Sequence, residues 1–208
     1  MVPKKEVLSF EKFFYFLLQN IGNLVKKEAI ANHTGIGIKT VEKYLQFIYK
    51  TMMIFPVYPY FLDKTKEYSS HPKIYFSDVG ILSFLERSYG DKTSNGRTVE
   101  NFVFGELLKS KQSTYDEIKT YKKLTKSEID FIYEYTNDTI VPIEVKSGNN
   151  RAIPRIFHTI HSDIPHTEAC IQTSFSLYQY QPLEHLDYYQ IPNCLIGKVP
   201  EMLRKRVL

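Results

Sequence analysis

Tryptophan is absent from this 208-residue chain, and cysteine occurs only twice, at Cys170 and Cys194. Two distant cysteines provide neither a disulfide framework nor a metal-ligand spacing. No apolar run approaches the ~18–20 residues of a membrane span. Met1-Val2-Pro3-Lys4-Lys5 leads into an amphipathic pattern rather than a signal-peptide core, so a cytoplasmic protein without a membrane partner is expected. A phosphate loop is also lacking. Gly35-Ile36-Gly37-Ile38-Lys39-Thr40 has neither the Gly-Lys-Thr adjacency nor the preceding strand of a Walker motif. His158, His161 and His166 lack matching cysteines or a His-Glu-x-x-His pattern, which argues against structural zinc. Internal repeats and low-complexity tracts are missing too.

Charge of one sign is scarce overall, at a net +4, but it is unevenly placed. Residues 1–70 carry 10 Lys+Arg against 6 Asp+Glu, which leaves 17 of each in the remaining 138. The mild basic bias therefore belongs to the first third, where it suits a nucleic-acid contact. Tyr (16) and Phe (14) are plentiful, and many of them must be core.

Phe10, Phe13, Phe14, Leu17, Leu18 and Ile21 share one helical face, with Ser9 placed to cap the helix and Gly22 to end it. A second helix is expected over 26–32. A third spans 39–50, with Val41, Tyr44, Leu45 and Ile48 inward. Apolar runs at 54–61 and 73–76 read as strands around a polar tip at 63–67. Three helices and a ribbon make the plan of a winged helix-turn-helix. On that plan Lys39, Thr40, Lys43 and Gln46 face outward to DNA, and Lys64 and Lys66 sit at the wing tip. Such modules also serve as protein-interaction domains or spacers.

Beyond residue 76 the pattern predicts a short helix at 78–86, a mobile loop at 88–96 and a helix at 99–111 capped by Thr98. Strands follow at 117–122, 128–135 and 140–146, with a turn at Asn137-Asp138. A helix at 151–161, strands at 169–173 and 188–191 and a helical tail after Pro200 complete an α/β, overall α+β, chain.

The chemistry lies in two of these strands. Alternation puts Val141, Ile143 and Val145 on one face and Glu144 and Lys146 on the other. It sets Asp130 opposite to Ile129, Phe131 and Tyr133. Paired as a hairpin, the strands bring Asp130 near Glu144, a hard-oxygen site suited to Mg²⁺ or Mn²⁺. Lys146 is then placed to act on a water or on developing charge. Glu100, four and seven residues before Phe104 and Leu107, lies beside an apolar stripe and needs a partner. The same spacings also suit a cross-strand ion pair and an ordinary acidic first helical turn. Glu128 neighbours Asp130. Lys119, Lys122, Lys123 and Lys126 are candidate phosphate contacts, or a solvated hairpin.

Taken together, Glu100, Asp130 and Glu144-x-Lys146 resemble the PD-(D/E)xK nuclease superfamily. Further segments are similar to the C-terminal region of archaeal and bacterial AAA-type ATPases: Lys39–Leu45, Lys73-Ile74-Tyr75-Phe76-Ser77-Asp78-Val79-Gly80, Val99-Glu100-Asn101-Phe102-Val103, Glu128-Ile129-Asp130-Phe131 and Ile143-Glu144-Val145-Lys146-Ser147-Gly148. The likeness covers about residues 10–172. It implies a winged helix (1–76) and a restriction-endonuclease-like mixed-sheet domain (77–208), of which the latter carries no assigned function. It also implies a Mg²⁺- or Mn²⁺-dependent deoxyribonuclease that binds DNA, and a homodimer, since two strands need two sites. Asp130 and Glu144 would hold the metal, Glu100 would assist, and Lys146 would serve the reaction. Two departures stand out. The expected ATPase domain does not precede the winged helix in this sequence, and Lys122-Lys123 replaces an aromatic followed by arginine. Two other readings remain open: an inactive DNA- or protein-binding module of an ATPase system, and a winged-helix transcription regulator.

Overall fold

The computed structural model describes residues 4–86, 96–123, 127–135 and 139–204. The loop expected at 88–96 falls outside these residues except for Gly96, as do the Asn137-Asp138 turn and Lys126.

Helix α1 (Lys4–Gln19) buries Phe13 and Leu17 completely. It starts before Ser9, whose hydroxyl does not cap it but donates to the Lys5 carbonyl at 2.9 Å. Good helix formers at Lys4–Glu6 extend the helix upstream, and Glu6 suits the positive end of the dipole. Helix α2 (Lys27–Thr34) stops where Gly35 adopts φ 70°, returning its N–H to the Ala31 carbonyl. Helix α3 (Ile38–Lys50) lays Val41, Leu45 and Ile48 on the core.

Strands β1 (Ile54–Val57) and β2 (Lys73–Phe76) then pair antiparallel. Strand β1 is shorter than expected because residues 58–60 turn to another partner: Tyr60 N–H donates to the Thr120 carbonyl and Thr120 N–H to that of Tyr58. The polar tip between them folds into helix α4 (Lys64–Ser69), capped by the Asp63 carboxylate accepting from Thr65 N–H. Helix α5 (Val79–Leu85) is capped in the same way by Asp78. Helix α6 (Gly96–Ser110) already includes Gly96, so Thr98 lies inside it rather than at its cap.

The remaining strands form one sheet: β3 (Glu117–Lys122), β4 (Glu128–Tyr135), β5 (Thr139–Glu144), β6 (Ala169–Ser174), β7 (Gln179–Pro182) and β8 (Asp187–Pro192). Their spatial order is β3-β4-β5-β6-β8-β7. The β3-β4-β5 part is an antiparallel meander, β5-β6 and β6-β8 are parallel, and β7 closes the edge antiparallel. The chain is thus a mixed α+β fold. The helix expected over 151–161 reduces to a 3₁₀ turn (Arg155–His158) and one turn of helix, α7 (Ile160–Asp163). Pro154 is tolerated at a helical start but not within a helix. A final helix, α8 (Val199–Arg204), ends the described chain.

One hydrophobic cluster runs from Phe13 and Leu17 through Tyr75 and Phe76 to Phe104, Phe131 and Ile143. It crosses the boundary expected at residues 76/77, so the helical part and the large sheet share a core. A second cluster, with Ile129, Ile132, Phe157, Ile160 and Tyr188, covers the other face of the sheet.

Candidate active site

The sheet register contains the irregularity that builds the site. Lys119 pairs with Ile132 and Tyr121 with Ile129, so two steps on β3 match three on β4. The extra residue lies in the Asp130-Phe131 stretch, a bulge that re-aims side chains. Its consequence is visible in packing: Ile129 joins one cluster and Phe131 the other. The sequence expectation that Ile129, Phe131 and Tyr133 share a face is thereby corrected. The alternation read for β5 holds, with Val141 and Ile143 buried in the first cluster and Val145 packed against it. Register pairs Phe131 with Ile143, and one step further Asp130 is level with Glu144.

The bulge brings the Asp130 carboxylate to the backbone N–H of Val145, from which it accepts at 2.7 Å. Glu144 Oε1 accepts from Lys146 Nζ at 2.6 Å, while its Oε2 is buried with no hydrogen-bond partner among the described residues. Glu100 approaches from α6. Its Oε1 accepts from the Tyr75 hydroxyl at 2.6 Å and lies 3.8 Å from Lys73 Nζ. Lys73 is only 8% exposed and pairs more closely with Glu128, at 2.6 Å. Gly22 closes the back: a Cβ there would lie 3.6 Å from both Glu100 carboxylate oxygens. With φ 76° the position also favours glycine.

The structure thus sets Glu100, Asp130, Glu144 and Lys146, the four residues singled out as catalytic, within electrostatic reach of one another, beside two residues that sequence reasoning missed. Lys73 and Tyr75 come from β2, across the expected domain boundary. Their signal was faint: a lysine at the head of the apolar run Ile74-Tyr75-Phe76, which the fold buries along with it.

Electrostatics follow from crowding. Burial, and then the neighbouring Asp130 charge, push the Glu144 carboxyl up to about 7. Burial and Asp130 likewise raise Glu100, against the pull of Lys73 and Tyr75. Burial raises Asp130 despite the Val145 N–H and the two lysines. Burial works against the Lys73 ammonium, but Glu100, Glu128 and Asp130 outweigh it and hold its pKa above the ordinary value. Glu128 is the exception among the acids: burial raises it, yet Lys73 and Lys122 bring it below its usual range.

The donor set suits a hard divalent cation, since every candidate ligand is a carboxylate oxygen. An orphaned buried oxygen on Glu144 and three carboxyls raised first by burial are the features such an ion would relieve. Asp130, Glu144 and Glu100 would hold it. Among the described residues, however, no three His, Cys, Asp or Glu side chains are gathered into a ready cage. Lys73 and Lys146 supply the compensating charge.

The other residues singled out lie elsewhere. Lys39 and Lys43 are exposed, and Thr40 half-buried, on α3, which packs on α1, α2 and β1. Lys64 reaches Glu134 on β4 at 3.0 Å, and Lys66 is exposed, 3.9 Å from Asp63. Lys122 pairs with Glu128 at 3.5 Å and Lys123 with Asp163 at 2.7 Å. Lys119, considered as a phosphate contact, is instead a buried hub. Its ammonium meets Glu67, Glu117 and Glu134 at 2.9, 2.6 and 2.7 Å.

Two family models match the chain. Residues 1–92 match a domain of unknown function (DUF8612), and residues 95–193 match a second domain of unknown function (DUF4143). The matches meet after α5, and together they cover most of the chain. No curated protein matches it. Among the described residues no helix is long and apolar enough to cross a membrane.

Proposed function

We propose that the acid cluster is a divalent-metal nuclease site of the PD-(D/E)xK type, hydrolysing phosphodiesters in DNA in the cytoplasm. One observation carries this reading: Asp130 and Glu144 converge through a β-bulge, half-buried, with Glu144 Oε2 lacking any donor among the described residues. Asp130 and Glu144 would hold Mg²⁺ or Mn²⁺, with Glu100 completing the set. The ion, when bound, would polarise the phosphate and lower the pKa of a water. The chain's own contribution is preorganisation. The Val145 N–H fixes Asp130, Tyr75 and Lys73 fix Glu100, and Lys146 keeps an ammonium beside Glu144 for the charge that develops on the phosphate. The three helices and ribbon of the first part would contact DNA as a winged helix, through Lys39, Thr40 and Lys43, with Lys66 at the ribbon end. Lys64 would first have to leave Glu134.

The test is Mn²⁺ calorimetry on wild type and on Asp130→Ala/Glu144→Ala, with cleavage of branched, linear and single-stranded DNA by Asp130→Ala and Lys146→Ala. Binding and cleavage both lost in the variants are expected. Wild type that neither binds Mn²⁺ nor cuts, with and without DNA, overturns the reading.

A second reading has its own support. Lys73 and Lys146 already neutralise the acids, as they would in a nuclease fold retired to binding and kept as an assembly module of an AAA-type ATPase. That reading expects no metal binding and co-elution with a Walker-motif partner.

A further inference from the structure

A groove of about 970 Å³ runs between the first part of the chain and the β3–β4 hairpin. It is lined by the turn after α1, by residues 69–71, and by residues 59–61 where they hydrogen-bond to β3 at Thr120, with residues 121–123 alongside. The groove borders the acid cluster, as three of its lining residues show. Gly22 backs the Glu100 carboxylate, Lys73 lies 3.8 Å from it, and Glu128 is held by Lys73. Whatever fills the groove therefore reaches Lys73 and Glu128, the ion pair that borders Glu100.

Its lining names the kind of occupant. Phe61 and Tyr121 are half-buried aromatic side chains on adjacent, hydrogen-bonded segments of the lining, able to receive flat rings. Three lysines line it against one glutamate, with the exposed His71 at one wall. Lys122 is the lysine most readily exchanged onto phosphate: it sits 3.5 Å from Glu128 and is more than half exposed, whereas Lys123 is held at 2.7 Å by the half-buried Asp163. Aromatic walls with a net positive rim are what an unstacked polynucleotide needs, base faces on rings and phosphates on ammonium groups. The volume lies at the upper end of the ~300–1,000 Å³ of small-ligand pockets, room for a few nucleotides of one strand but not for a duplex. A duplex also keeps its base faces stacked and out of reach of Tyr121.

We propose that this groove binds a single strand of nucleic acid and delivers its backbone to the acid cluster. The delivery rests on the nuclease reading of that cluster; the binding does not. Substrates would accordingly be frayed ends, flaps or single-stranded segments.

The test uses the full chain in EDTA, so that cutting plays no part. Fluorescence anisotropy is read with fluorescein-labelled (dT)₁₂ and with a 12-base-pair duplex. The single strand is expected to bind at least about tenfold more tightly than the duplex. Lys122→Glu should weaken that binding by about tenfold and flatten its salt dependence by about 0.7 in slope for each phosphate that the variant no longer neutralises. Tyr121→Leu should weaken it roughly 5- to 150-fold, the range for one stacked base. Lys122 is exposed, so its variant keeps the test valid if Tyr121→Leu fails to fold. Equal binding of the duplex, wild-type affinity in Lys122→Glu, or no oligonucleotide binding at all (as for a groove built for a peptide) overturns the proposal. Tight single-strand binding without cleavage in Mn²⁺ would sink the nuclease reading alone. Cleavage with no single-strand preference would sink the groove alone.

Discussion

Replacing Lys73 by methionine keeps the length and packing of a side chain that is 8% exposed, and removes one positive charge. That charge is the partner of Glu128 at 2.6 Å and of Glu100 at 3.8 Å, beside Asp130 and Glu144. Stripping one member from a fully buried ion pair costs about 3–5 kcal/mol. Two features reduce that here. Glu128 is 35% exposed and keeps Lys122, and Glu100 keeps the Tyr75 hydroxyl. A loss of about 2–3 kcal/mol is therefore expected, or roughly 5–10 °C in Tm for a chain of this size. The sign with pH is fixed by which groups respond. Without Lys73 the acids bind protons more readily, so the deficit is full where they are ionised and shrinks as the pH falls toward 4.5. A divalent cation should restore the missing charge: at 100 times its Kd, Mn²⁺ returns about 2.7 kcal/mol. Thermal unfolding at pH 7.5 and 5, with and without 1 mM Mn²⁺, reads all of this. A Tm within about 2 °C of wild type at pH 7.5, or a rescue no larger than in wild type, would refute the reasoning.

Asp130→Asn retains an oxygen for the Val145 N–H but removes a charge from a crowded site; Mn²⁺ binding should vanish in calorimetry while Tm stays level or rises by a few degrees. Glu144 titrates at about 7 in the fold against an ordinary 4.5, so its stabilising protonation is complete below pH 4.5 and lost as pH rises through about 7. Metal-free wild type should accordingly lose Tm between pH 5 and 8, and Glu144→Gln should flatten that slope; parallel slopes would contradict it. Lys119→Met abandons three glutamates around a buried ammonium and should cost about 3 kcal/mol in urea unfolding. Lys64→Ala, at an exposed end of the same network, should cost no more than about 1 kcal/mol, and equal losses would mean that burial is not the deciding factor.

Much of the site was readable along the chain because strand chemistry is periodic. Val141, Ile143 and Val145 announced the buried face of β5, and with it the exposure of Glu144 and Lys146 to a common side. A hairpin over so short a connection had to bring β4 against β5, and Asp130 with it. Glu100 was legible as an acid beside an apolar stripe that needed a partner, though not which partner. Where the reading failed, a non-local contact had overridden a local rule. Ile129 and Phe131 separate because β3 and β4 are out of step by one residue, a mismatch that exists only once the strands pair. The segment 63–67 has the composition of a ribbon tip, yet Asp63 caps a helix there because Glu67 and Lys64 find Lys119 and Glu134 on the sheet.

By itself, then, the amino-acid order determined most of the elements and the mixed α+β class, since each rests on neighbours within a few positions, and it marked the three acids and the lysine without fixing how they meet. Only the tertiary structure decided that Lys73 and Tyr75, some 25 residues before Glu100, complete the acid cluster, and that a groove between the two parts borders it. Those facts depend on a shared core that folds the β1–β2 ribbon against α6 and β4, and the energy of burying that core is a property of no single segment.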